Sequence, residues 1–207
     1  MEREYHPLPI HELGANAGFR RPLAPQAPRV GPESPAVQVM TDLARVAPAT
    51  IRPQAPLAGA NQFMIARGVR LLLVTDEHEN VLGILTATDI LSEKPLRTAT
   101  DRGLRRDELT VADVMIPAQQ VEVIAYADLA GARVGHVLET LRRDGRQHAL
   151  VVDFDPIPSG RPLTPPTQRT MVRGIFSISQ IARQLGIDLP AGAEVARTFS
   201  EIESAIK

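Results

Sequence analysis

Gly83-Ile84-Leu85-Thr86-Ala87-Thr88-Asp89 is the stretch on which the fold turns. Ahead of it, Arg70-Leu71-Leu72-Leu73-Val74-Thr75-Asp76 is a short apolar run closed by a polar residue, the pattern of a buried strand. Glu77-His78-Glu79-Asn80 is polar and turn-forming, so it predicts the corner of a hairpin, with Val81 to Leu85 as the returning strand. Thr86 to Asp89 then ends that strand and opens a helix.

The same residues carry chemistry. Gly83 has no side chain, so a ligand or another backbone can come close. A helix start offers free N–H groups and the positive end of a dipole to a phosphate. The Thr86 hydroxyl is suited to donate to a phosphate oxygen. The Asp89 carboxylate, with two acceptor oxygens, is suited to receive both hydroxyls of a ribose. Yet Thr86-x-x-Asp89 is also a capping pattern, with a hydroxyl at the helix start and a carboxylate one turn on. The stretch on its own leaves both uses open.

It occurs twice. Gly174-Ile175-Phe176-Ser177-Ile178-Ser179-Gln180 has the same glycine, two apolar residues, hydroxyl and polar fourth position. Val39-Met40-Thr41 is echoed by Val114-Met115-Ile116-Pro117, and Leu73-Val74-Thr75-Asp76 by Leu150-Val151-Val152-Asp153. In this order and number the pieces resemble a tandem pair of CBS (cystathionine beta-synthase) domains, a Bateman module, over about residues 35–187. The resemblance implies an α/β fold of two β-α-β-β-α units packed as a pseudo-symmetric pair, with two related clefts between their sheets.

In similar modules these clefts hold adenosine compounds: AMP, ADP, ATP or S-adenosylmethionine. Carried over, the resemblance gives Thr86 the phosphate and Asp89 the ribose, with Gly83 at the close approach. A basic residue just before the central strand often faces the phosphate in such modules, which makes Arg70 and His148 further candidates, in like places of the two units. Ser177 keeps the hydroxyl position of the second unit, but Gln180 replaces the aspartate and removes the charged ribose acceptor. One competent cleft follows, with the Ser177 cleft weaker, empty or altered in preference. Pairs of this kind associate through their helices, so a homodimer is expected; Leu57, Met64, Val134, Val137 and Leu141 are compatible with it.

The rest of the chain divides around the repeats. Residues 1–34 hold six of the 18 prolines. No helical or strand period survives that spacing, so they form an extended arm. His6 and His11 lack a third ligand or a rigid element and do not make a metal site. The first unit spans 35–93. Pro56 opens a helix with Leu57, Ala60, Met64 and Ile65 on one face, stopped by Gly68. Residues 94–109 are polar and mostly basic, broken by Pro95 and Gly103, and read as a linker.

The second unit spans 110–187. Thr110 caps Val111 to Met115, and Val121 to Ile124 alternates like a strand. Asp128 caps a longer helix that Gly145 ends. The two methionines Met40 and Met115 lie 75 residues apart while Gly83 and Gly174 lie 91 apart, so the second unit carries about sixteen extra residues. These form a Pro-rich loop, 155–170. Residues 188–207 end in an amphipathic helix with Val195, Phe199, Ile202 and Ile206 on one face, packed on its own module.

Composition bounds the function. A net charge of -1 argues against a nucleic-acid or membrane surface built on bulk charge. There is no cysteine, hence no disulfide, thiolate nucleophile or cysteine-ligated zinc. The start Met1-Glu2-Arg3-Glu4 lacks the pattern of a signal peptide, and no apolar run nears about 20 residues. A cytoplasmic location is expected. No nucleophile elbow, Walker loop, zinc helix or dinucleotide fingerprint occurs, so no enzyme is expected and no cofactor beyond a possible adenine nucleotide. Two functions remain: a regulatory module that senses an adenosine compound and signals to a partner protein, or a ligand-free dimerisation module acting through its arm and insertion.

Overall fold

A computed structural model of the chain describes residues 30–156, 168–187, 199–202 and 204. The arm up to residue 29, the heart of the insertion at 157–167, and Val195 and Ile206 of the last helix lie outside the described residues. In chain order the strands are β1 (Thr41–Asp42), β2 (Thr50–Ile51), β3 (Leu71–Thr75), β4 (Val81–Thr86), β5 (Ile116–Pro117), β6 (Val123–Ala125), β7 (His148–Pro156) and β8 (Gln168–Ser177). The helices are α1 (Leu57–Arg67), α2 (Ala87–Leu91), α3 (Lys94–Arg102), α4 (Val111–Val114), α5 (Val134–Arg143) and α6 (Ile178–Gln184).

The strands form two four-stranded sheets of like design, β2-β3-β4-β5 and β6-β7-β8-β1. In each, a short strand pairs parallel to the first arm of a hairpin, and a two-residue strand pairs antiparallel to the second arm. The hairpins match in detail. Leu71 faces Thr86 and His148 faces Ser177. Both ladders break after the pair that contains the glycine, Val74 with Gly83 and Val151 with Gly174. This register makes Leu71 the counterpart of His148, and Arg70 the counterpart of Gln147. The backbone bonds Ala87 N–H to Arg70 O (2.9 Å) and Ile178 N–H to Gln147 O (3.0 Å) repeat that correspondence. The sequence expectation that Arg70 and His148 hold like places is thereby corrected by one residue.

The edge strands are exchanged between repeats. β1, from the first, completes the sheet of β7 and β8; β5, from the second, completes the sheet of β3 and β4. The cores follow. Ala36, Val39 and Met40 pack with Val134, Val137, Leu141 and Phe176, whereas Leu109, Val111 and Val114 pack with Leu57, Met64, Leu72 and Leu85. The closing glycines are explained by the same exchange. A Cβ on Gly83 would collide with the carbonyl oxygen of Ile116 in β5, and one on Gly174 would come 2.5 Å from the Met40 sulfur. A backbone approaches Gly83.

β3 is buried along its whole length because both of its faces are covered. Leu72 and Val74 point to the helices, Leu71 and Leu73 to the other sheet, where they meet Ile84 and Leu150. Beyond α6, Phe199 and Ile202 are helical and buried in the core of the second sheet, as a helix packed on its own module requires.

Four local expectations are corrected. Residues 94–102, expected to be a linker, form α3; Pro95 sits in its first turn, where no N–H is needed, and Gly103 closes it at φ 63°. Asp128 does not cap the long helix of the second unit. Tyr126–Leu129 is a 3-10 turn, Gly131 at φ 83° separates it, and α5 starts after Arg133. Asp155–Thr170 is not all loop, because β7 and β8 continue pairing as far as Pro156 with Gln168. Ile65 lies off the buried face of α1 and is 73 % exposed.

Candidate functional site

β4 delivers Thr86 to the first position before α2, and there the capping pattern is realised in full. The Thr86 hydroxyl oxygen accepts from the Asp89 N–H at 3.2 Å, and Asp89 Oδ2 accepts from the Thr86 N–H at 3.0 Å. The Thr86 hydroxyl proton goes to the same Oδ2 at 2.6 Å. Asp89 Oδ1 receives Lys94 Nζ at 3.3 Å, from the first turn of α3.

Around this corner lies a cleft of about 250 Å³. Thr86, Thr88 and Asp89 line it from the first repeat; Arg146, Gln147 and His148 line it from the second, at the start of β7. Ile84 and Val121 form its apolar floor. Burial, together with the Arg70 charge, pushes the His148 imidazole down to about 4, against the opposing pull of Asp89. His148 is therefore neutral at pH 7. It can donate from one ring nitrogen and accept at the other.

Two long side-chain contacts cross between the repeats. Thr88 donates to the Gln147 side chain at 3.4 Å, and Arg70 donates to the Ser179 hydroxyl at 3.4 Å. Counted from the closing glycines, Thr88 and Ser179 are equivalent; by ladder register, so are Gln147 and Arg70. The pair thus marks the pseudo-two-fold relation of the units.

Of the six candidate residues, Thr86, Asp89 and His148 converge on one cleft. Gly83 lies under β5. Arg70 reaches toward α6, on the second unit's side. Ser177 precedes α6 and makes no side-chain cap. Gln180 instead accepts the Thr41 hydroxyl at 2.9 Å, so the position of the lost carboxylate is tied to β1. Sequence reasoning missed Lys94, Thr88 and Gln147. Lys94 was hidden inside the apparent linker. Gln147 is found by counting back from Val151, which faces the second glycine, as far as Arg70 stands from Val74, which faces the first. Among the described residues, no group of three or more His, Asp and Glu is placed to hold a metal ion. None of the described helices is long and apolar enough to cross a membrane.

The sequence model of the CBS domain matches residues 36–95. No curated protein matches the chain. A solved structure from Pyrococcus horikoshii, described as an uncharacterized conserved protein, is similar at a TM-score of 0.50 and 20 % identity, over 79 % of this chain and 100 % of that one. A CBS domain pair solved in complex with 5′-methylthioadenosine and S-adenosyl-L-methionine gives 0.47 and 19 %, over 75 % and 98 %. A CBS-domain-containing protein from Agrobacterium tumefaciens gives 0.47 and 18 %, over 72 % and 91 %. The first unit, at residues 36–95, matches the CBS domain, and its strand order, register and ladder break are repeated in the second half of the chain.

Proposed function

We propose that this CBS pair is a regulatory module that binds an adenosine-containing ligand in the Thr86 cleft and signals to a partner protein. The observation that carries the reading is the convergence of Thr86 and Asp89 from one repeat with His148 from the other. In this reading Asp89 takes the ribose hydroxyls on Oδ1 once Lys94 swings away, and Lys94 is then free for phosphate. AMP, ADP, ATP and S-adenosylmethionine are the ligands to test. The second cleft, with Gln180 tied to Thr41, contributes little. The module works as a cytoplasmic homodimer and is not an enzyme.

One observation favours a ligand-free scaffold instead. Both Asp89 oxygens are already satisfied, by Thr86 and Lys94, so the corner is complete without a ligand. A thermal-shift screen separates the two. Binding to the folded state alone adds about 2.7 kcal/mol at a hundred times Kd. A clear rise in Tm with one adenosine compound, lost in Asp89→Ala and kept in Gln180→Ala, supports the sensor. No shift with any of the four compounds leaves the scaffold.

A further inference from the structure

The Thr86 cleft does not end at Ile84 and Val121. Past them opens a second groove of about 530 Å³, at the hairpin end of the two sheets. Both residues belong to the two cavities alike. Its walls are aliphatic: Val81, Val123, Leu150, Val152, Met171 and Val172. Val123 and Met171 are 43 % and 39 % exposed, so the apolar lining is open to solvent. One wall exists only because β7 and β8 pair beyond the point where the first hairpin has turned, which brings Arg169, Thr170 and Met171 to the groove.

The mouth holds a cation. Arg169 reaches across to the Asn80 side-chain oxygen at 3.4 Å. Among the described residues its guanidinium makes no ion pair, with Asp155 its cross-strand neighbour on β7. Glu79 lines the same end from the hairpin corner, held there at φ 62°. Among the described residues one of its five guanidinium N–H groups is used, by Asn80. A concave, mostly aliphatic groove with a few convergent polar groups at one end is the usual form of a small-molecule site.

We propose that this groove is a second binding site, for an amphipathic anion whose aliphatic body lies along Val81, Val123, Val152 and Met171 and whose carboxylate or similar head meets Arg169. The site is independent of any nucleotide in the Thr86 cleft. It belongs to the longer second hairpin.

Octanoate is the probe. The whole chain is titrated with it by calorimetry and by methyl NMR. Saturable binding of one octanoate per chain is expected below about 1 mM, with shifts at the methyls of Val123, Val152 and Met171 and none at Thr86 or Thr88. Met171→Glu is expected to weaken it by at least about tenfold, through lost apolar contact and like charge, and Arg169→Gln by about fivefold. Octylammonium is expected to bind at least about tenfold more weakly than octanoate. Both substituted side chains are solvent-facing, so circular dichroism should show the folded state; Val123→Glu serves if Met171→Glu does not fold. The proposal is overturned if octanoate fails to saturate, if it binds the Met171→Glu and Val123→Glu chains as well as the parent, or if octylammonium binds as tightly. It is also overturned if the groove proves to be covered by a second copy, seen as a mass that halves in Met171→Glu with no octanoate binding in either form.

Discussion

Asp89 illustrates how one side chain is pulled between two duties. Its carboxylate accepts two bonds from Thr86 and one from Lys94. Asp89→Ala is expected to cost about 1–2 kcal/mol of stability for the lost cap, in urea unfolding, before any ligand is added. Gly83 is simpler. The Ile116 carbonyl occupies the space a Cβ needs, and that oxygen belongs to backbone that cannot rotate away. Gly83→Ala is expected to destabilise by about 3 kcal/mol, measured the same way. His148 adds a pH signature. Its folded value, about 4, lies below the ordinary 6.5, so the unfolded chain binds the proton more readily. Its contribution to stability is complete above pH 6.5 and is lost as pH falls from 6.5 toward 4, by about 3 kcal/mol in all. The stability difference between the parent and His148→Asn should therefore shrink through that window, as followed by chemical unfolding at each pH.

At the level of elements, the strands and hairpins were legible because their apolar runs are short and sharply punctuated. Leu71–Thr75 and the Gly-h-h-hydroxyl stretch announce themselves in any order of reading. α3 was not legible, because its buried contact is small: Ala99 and the ring of Pro95 carry it, among charged residues that face water. The start of α5 was misplaced because Asp128 is a good cap by type, while Gly131 three residues on ends any helix begun there. The helices also revise the basis of the expected dimer. Leu57, Met64, Val134, Val137 and Leu141 are all consumed in the cores of one chain. Ile65, Leu91 and Leu96, at 73 %, 68 % and 63 % exposure on α1, α2 and α3, are the aliphatic side chains left over. If the homodimer forms through these helices, the double substitution Ile65→Glu and Leu91→Glu should reduce the mass in light scattering from a dimer to about 22.5 kDa, without a change in circular dichroism.

For the whole molecule, the exchange of β1 and β5 was invisible to a reading by repeats. The repeat in sequence is real, but nothing in Val39-Met40-Thr41 says that it pairs with Gly174 and Ile175 rather than with its own hairpin. The site was legible in part for the same reason: Thr86, Asp89 and His148 stood out one by one, but that His148, with Gln147, joins the motif of the other repeat did not. The exchange predicts which pieces fold. A fragment of residues 36–95 lacks Leu109, Val111, Val114 and β5, and carries an unpaired β1. A fragment of residues 43–117 holds all of β2 to β5 and their helical cover. Cooperative melting followed by circular dichroism is expected for 43–117 and not for 36–95.

The same exchange sets a timetable for synthesis. Ala36, Val39 and Met40 leave the ribosome early, but the strand that receives them, β8, is translated more than a hundred residues later. Until α5 and then β8 are made the nascent chain carries an apolar segment without its native partners, while the first sheet can close as soon as Pro117 emerges. A chain built this way makes this segment well before the elements that cover it. Slow translation therefore prolongs exposure of that segment, and holding chaperones have a defined place to bind.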